Sequence, residues 1–340
     1  MNEATNTIHL KQLYYRIIAL WVICESLVGG IIHGFKLPIS GLLVGSCSVI
    51  CICLIAFYIP DKGAIIKATI LVAIFKMMLS PHSPPMAYIA VFFQGILGEI
   101  LFYNRKRLTV NCMVFSVLAL AESALQRIFV LWLIYGENFW IAVNKTIEKI
   151  FPFASGKNYI LFLAVGYTII HCIAGIIVAM LVLRIKNAQQ QGKNNPYLIE
   201  LTTTNTYNFD TVNKRKKKRF NIPFFILWIV LTALLLQSTF KIGSPVLPET
   251  SILFIFIRAA IILLTWYFVI SPLISKMMKK WLEKEKTKSQ TEIQDILELL
   301  PSTRFLISQS WLLSKPAKGF KRLILTAKII IANTLTLRHA

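Results

Sequence analysis

The chain has 340 residues and a formal net charge of +22, yet 56% of its residues are hydrophobic and only 15% are charged. Its mean hydropathy is +0.64; a water-soluble domain of this length needs more charge to cover its surface, whereas a chain dissolved in lipid does not. Lys and Arg crowd into short polar segments between long apolar runs. That is the positive-inside pattern of a membrane protein rather than the basic face of a nucleic-acid binder, so no nucleic acid is expected as a partner.

A spanning helix needs about 20 mainly apolar residues. In chain order the candidates are Tyr15 to Ile32, Pro38 to Ile59, Gly63 to Ser80, Met86 to Tyr103, Leu108 to Tyr135 and Tyr159 to Leu183. Met1 to Gln12 is polar and no small-residue cleavage site follows the first run, so that run is expected to be a retained helix. Leu108 to Tyr135 is too long for one upright span; it either tilts or breaks near Gln126-Arg127. Phe139, Trp140, Val143, Ile147 and Ile150 then recur at helical spacing, as in a helix lying in the outer interface.

A polar, basic stretch from Arg184 to Arg219 ends in Lys-Arg-Lys-Lys-Lys-Arg and reads as a linker. Two more spans follow, Ile222 to Gln237 and Ile252 to Ile270. The tail carries two apolar stripes at helical spacing. One is Ile293, Ile296, Leu297 and Leu300; the other is Phe320, Leu323, Ile324, Ala327 and Ile331. The division expected is therefore residues 1–185, a six-helix membrane domain; 186–219, a cytoplasmic linker; 220–272, a two-helix membrane region; and 273–340, an amphipathic cytoplasmic tail. The fold class is all-α: a polytopic membrane protein of about eight transmembrane helices plus amphipathic cytoplasmic helices.

Orientation follows from charge. With the N-terminus inside, the inner segments hold Lys11 and Arg16, Lys62, Arg105-Lys106-Arg107, the basic linker and the basic tail. The outer segments hold few or balanced charges. The expectation is a multi-pass protein of the cell inner membrane with both termini cytoplasmic.

Ionisable groups in lipid cost a few kcal/mol at least and usually face the bundle interior. Glu25, Lys76, Gln94, Glu122, Gln126, Arg127 and His171 are the candidate substrate-binding residues, forming a polar pocket for a small solute. The competing reading makes them interhelical fasteners, such as Glu122 with Arg127 or Lys76. Lys67 and Glu99 fall nearer the cytoplasm. Small-residue faces at Gly41/Gly45, Ala64/Ala68 and Gly175/Ala179 mark close helix approach, internal or to a partner subunit. The six cysteines lie in apolar runs without zinc spacing and are expected as small apolar filler. No metal, cofactor or catalytic residue is assigned. Ser155 to Asn158 lacks the glycine and terminal Ser/Thr of a phosphate loop, and neither His-Glu-x-x-His nor Gly-x-Ser-x-Gly occurs.

Residues 1 to about 185 resemble the substrate-capture (S) components of energy-coupling factor transporters. The resemblance rests on six spans in that length and on Lys62 to Ser80 (KGAIIKATILVAIFKMMLS) and Met86 to Phe102 (MAYIAVFFQGILGEILF). It implies a membrane-embedded binder of a vitamin, a precursor or a metal ion, coupled to a transmembrane T component and cytoplasmic ATPase subunits. Residues 220 to 340 more faintly resemble a T component at Thr303-Arg304 and Ala317-Lys318-Gly319. Only two spans precede these motifs, and the family has Arg where Lys318 stands. That resemblance makes Ile293, Ile296, Leu297 and Leu300 the expected partner-binding face. Two other classes stay open: a membrane enzyme or accessory subunit of isoprenoid or lipid metabolism, and a scaffold whose basic tail binds the lipid bilayer.

Overall fold

The computed structural model describes residues 3–28, 40–80, 83–150, 159–190, 199, 228–229, 232–233 and 252–336. Most of the basic linker, most of the seventh span and the outer segments at 33–38 and 240–251 lie outside the described residues. All regular structure among the described residues is helical. The helices are α1 (Glu3–Ile23), α2 (Ser40–Tyr58), α3 (Ala64–Leu79), α4 (Pro85–Phe102), α5 (Leu108–Ile150), α6 (Tyr159–Gln190), α7 (Ile252–Thr265), α8 (Ser271–Lys288), α9 (Gln290–Leu313) and α10 (Gly319–Thr336).

Five stretches among the described residues are long and apolar enough to cross a membrane: Gly41–Tyr58, Pro85–Phe102, Arg105–Glu137, Tyr159–Asn187 and Phe254–Lys288. These correspond to the second, fourth, fifth, sixth and eighth expected spans. The third has only 16 helical residues, about 24 Å of helix against a hydrocarbon core of about 30 Å.

The chain folds as two compact units drawn from non-contiguous segments: residues 1–123, 170–207 and 278–340, and residues 124–169 and 208–277. In the first unit α1 is the central helix. From Leu13 to Ser26 every residue but Arg16 is buried, as an all-round apolar helix requires. Helices α2, α3, α9 and α10 surround it. The Tyr14 hydroxyl donates to the Ala64 carbonyl at 2.7 Å, fixing α1 against the first turn of α3.

One end of this unit is fully capped. The Glu99 carboxylate of α4 accepts from the amides of Gly63 (2.7 Å) and Ile66 (3.4 Å), closing the N-terminus of α3. Arg105 donates to the carbonyls of Ile59 (2.8 Å) and Ala56 (2.6 Å), closing the C-terminus of α2. Glu99 is thus a helix cap rather than a free polar group.

The small-residue faces pack inside the chain. Gly175 of α6 lies directly on the α5 backbone: a Cβ there would stand 2.7 Å from the Ser116 carbonyl oxygen and 2.9 Å from the Val117 Cα. Backbone cannot yield as a side chain can, so Gly175→Ala is expected to cost about 1–3 kcal/mol by overpacking. Thermal unfolding in detergent measures this, with Gly166→Ala as control, since a Cβ at Gly166 would meet nothing within 4 Å.

One expectation is corrected and two are narrowed. Of the two readings of the long fifth span, tilt or a break near Gln126-Arg127, the break does not occur there. Helix α5 runs to Ile150 with its one non-helical residue at Gly136 (φ 72°, ψ 174°), a left-handed φ that only glycine adopts cheaply. The stripe Ile293, Ile296, Leu297 and Leu300 is no open docking face. Ile293, Ile296 and Leu300 are buried in the core of the first unit, Leu297 packs against it, and α9 lies along α1. An apolar stripe of that size cannot stay in water, and the chain's own first helix covers it. Finally, α10 buries Ile331 of the expected stripe together with Thr326, Ile329 and Asn333, while Leu323 is half exposed, so its inner face overlaps the expected stripe only in part. The Asn333 side-chain oxygen accepts from the Ile199 amide at 2.9 Å, a polar contact on that inner face.

The acidic face of α9 is also occupied. Glu292 pairs with Lys67 at 2.9 Å and Asp295 with Lys11 at 3.6 Å. Hydrogen bonding from the Lys67 ammonium holds the Glu292 carboxyl below the usual carboxylate range. A depressed folded-state pKa contributes stability at neutral pH that is lost as pH falls through it. The pair is partly exposed, so Glu292→Gln is expected to remove at most about 1 kcal/mol at neutral pH and to flatten the acid limb of the stability profile. Melting temperatures between pH 7 and pH 3 test this.

Candidate functional site

Opposite the capped end, the last turn of α1 changes from α to π geometry over Cys24–Val28. A π-turn inserts one residue per turn, re-aims the side chains it carries and is frequent at functional sites. Here it carries Glu25, buried to 4% exposure. Its partner is Lys76, in the last turn of α3 and 2% exposed. The Lys76 ammonium lies 2.6 Å from Glu25 Oε2. Ser48 of α2 donates to Glu25 Oε1 at 2.5 Å, and Lys76 also donates to the Ala87 carbonyl of α4 at 3.4 Å. The ammonium stands 5.7 Å from the centre of the Tyr88 ring. Four helices therefore converge on one ion pair.

Magnitudes decide what such a pair is for. Removing each ion from water costs several kcal/mol, which the pairing roughly offsets, so a buried pair is a poor source of net stability. Other buried polar atoms of the same bundle are not satisfied either. Trp21 Nε1, Ser26 Oγ, Tyr88 Oη and Gln94 Oε1 are buried and have no hydrogen-bond partner among the described residues. Trp21 is one helical turn before Glu25, Ser26 follows it, and Tyr88 lies beside Lys76. Gln94 faces α2 at Gly45, whose missing Cβ would stand 3.4 Å from the amide nitrogen. Each unmade hydrogen bond costs about 1–3 kcal/mol, and native bundles leave few. Trp21, Ser26 and Tyr88 thus bring an indole N–H and two unpartnered hydroxyls to the turns that hold the ion pair.

Of the seven residues expected to bind substrate, Glu25 and Lys76 are joined directly, and Gln94 sits in the same bundle on α4. Lys76 pairs with Glu25, not with Glu122. Glu122 is half-buried on α5, its Oε2 buried without a hydrogen-bond partner among the described residues. His171 is buried on α6 in the first unit. Gln126 is half-buried in the second unit, and Arg127 is exposed there and lines a groove of about 720 Å³.

Sequence reasoning missed Ser48, Ser26, Trp21 and Tyr88. For Ser48 the signal was present: Gly41, Gly45 and Ser48 fall at i, i+4 and i+7, so the small-residue face of α2 carries the hydroxyl. It also passed over Arg258, a charge inside the eighth span, whose guanidinium packs on Gly136 in the second unit. No metal-ligand cluster occurs among the described residues.

Comparison with known protein families, with curated proteins and with solved structures returns no match.

Proposed function

We propose that this chain is a multi-pass protein of the inner membrane, with both ends cytoplasmic, that captures a small polar solute for uptake, as an S component of an energy-coupling factor transporter does. The observation that carries the reading is the Glu25–Lys76 pair: both groups buried, Glu25 on a π-turn, and the unpartnered polar atoms of Trp21, Ser26 and Tyr88 on the turns beside it. A purely structural scaffold gains little net stability from a buried pair.

Charge supports the orientation. The capped end carries Lys62 and Arg105, and α9 holds Lys67 and Lys11 through Glu292 and Asp295. Positive charge belongs on the cytoplasmic side, which puts the Glu25–Lys76 site in the outer half of the bundle. The three expected spans beyond the five long helices are α1, α3 and the segment from Ile222 to Gln237. ATP hydrolysis belongs to separate cytoplasmic subunits, and energy coupling passes through a membrane partner and surfaces other than the covered stripe of α9.

The test begins with the full chain purified from its host membrane and mass spectrometry of the small molecules it carries. One polar species is expected at near-stoichiometric amount, and Gln94→Leu, which keeps size but removes the unpaired amide, is expected to lower its occupancy at least about tenfold with unchanged yield. No such species, or equal occupancy in the variant, overturns the reading. Topology is checked separately: a cytoplasmic reporter fused at residue 200 or at the C-terminus should be active, and one inserted at Ser83 silent.

A further inference from the structure

We propose that the second unit binds one bilayer phospholipid with a zwitterionic headgroup, in the groove between the kinked end of α5 and the start of α6. The groove is independent of the Glu25–Lys76 site, and all its lining residues fall between 127 and 167, within one compact unit.

The groove exists because of local chemistry. At Gly136 the backbone takes φ 72°, and the helix beyond it departs from the line of the helix before it. The Arg258 guanidinium packs on this position, and the positive φ is what demands glycine. Tyr135, Phe139 and Trp140 stack on one another across the kink, with ring centres 4.7 to 6.1 Å apart. The Asn144 side-chain oxygen accepts from the Tyr159 amide at 2.8 Å and ties the first turn of α6 to the segment after the kink. Between these fixed points lies a space of about 720 Å³, within the range of roughly 300–1,000 Å³ typical of small-ligand sites.

The lining selects the occupant. Leu131, Trp132, Ile160, Leu163 and Ala164 give an apolar trough suited to an acyl chain. Four charged residues share it, two of each sign: Arg127 and Lys145, Glu137 and Glu148. Cations and carboxylates in equal number offer a partner to the phosphate and to the ammonium of one headgroup, so the lining complements a zwitterion. Trp140 lines the same groove, and its Nε1 is buried without a hydrogen-bond partner among the described residues. An indole N–H at this place suits an ester carbonyl or a phosphate oxygen, the usual partners of interfacial tryptophan. A soluble amphiphile or a second copy of the chain would not need this balance of charge.

Native mass spectrometry of the delipidated full-length chain tests the proposal, with phosphatidylethanolamine or phosphatidylglycerol added at equal concentration. Wild type is expected to hold one phosphatidylethanolamine per chain, about tenfold more tightly than phosphatidylglycerol. Ala164→Trp should fill the trough and abolish this binding. Lys145→Glu, at an exposed position that folding tolerates, should remove the preference while the chain retains its melting temperature. Gln94→Leu should leave lipid binding unchanged, which separates this site from the solute site. Equal or tighter phosphatidylglycerol binding, lipid retention in Ala164→Trp with the preference intact in Lys145→Glu, or a dimer mass in place of a lipid adduct would overturn it.

Discussion

Lys76→Met is expected to destabilise the protein by about 3–5 kcal/mol on its own, and Lys76→Met combined with Glu25→Gln by far less. The single change leaves the Glu25 carboxylate in a bundle where it is 4% exposed, with only Ser48 donating to it. The double change removes both charges together, and neutral replacement of a buried pair is often without cost. Folding and function should then part. The double variant should insert, purify and melt close to wild type, yet carry no solute, because the charges that orient the guest are gone. A double variant that retains the solute makes the pair a fastener and sinks the uptake reading. A single variant as stable as wild type would mean the pair is not buried at all. Stability and occupancy must be measured on the same samples, since a lower yield alone mimics lost binding.

How much of this was legible depended on which force sets each feature. Hydropathy and the Lys/Arg pattern gave the long apolar helices, because spanning length and charge sidedness are local properties. They gave α1 and α3 as spans of the same kind, although both are mostly enclosed by other helices. Burial by protein and burial by lipid read alike in composition, for lipid tails are as apolar as leucine. The residue types at the candidate site were legible for the same reason that they are costly: Glu25, Lys76 and Gln94 stand out against apolar neighbours. Which of them meet was not. Pairing Lys76 with Glu25 rather than Glu122 depends on the helix order around α1 and on the π-turn at Cys24–Val28, a register change that no single-residue propensity announces. Gly136 was available as a break signal, but the polar pair Gln126-Arg127 drew attention first; the backbone breaks where a left-handed φ is cheap, not where side chains are polar. The apolar stripe of α9 is legible at helical spacing and, by its size, has to be covered by something. Nothing in its own sequence says whether the cover is a foreign subunit or α1.

The largest structural effect is expected from Ile296→Asp. Ile296 is fully buried, within the core that α1 and α9 share. An aspartate there would have to enter apolar surroundings, where an unpaired carboxylate costs several kcal/mol or takes up a proton instead. The graded controls lie on the same helix. Leu297 is only half-buried, so Leu297→Asp should cost less, and Glu298 is exposed, so Glu298→Lys should be close to neutral. Limited proteolysis of membrane vesicles ranks the three: cleavage between residues 288 and 320 should rise steeply for Ile296→Asp, moderately for Leu297→Asp and hardly for Glu298→Lys. The order discriminates between self-packing and docking. If α9 were a docking helix for an ATPase subunit, all three variants would keep the purified chain as resistant as wild type and differ only in pull-downs of the partner. If α9 is instead the cytoplasmic brace of α1, protection is lost in the order of burial, with no partner present. Because α1 ends in the π-turn that carries Glu25, loosening α9 should also lower solute occupancy at the far end of the same helix. A protease-sensitive Ile296→Asp chain with full occupancy would show that the site is held by α2, α3 and α4 without help from the tail.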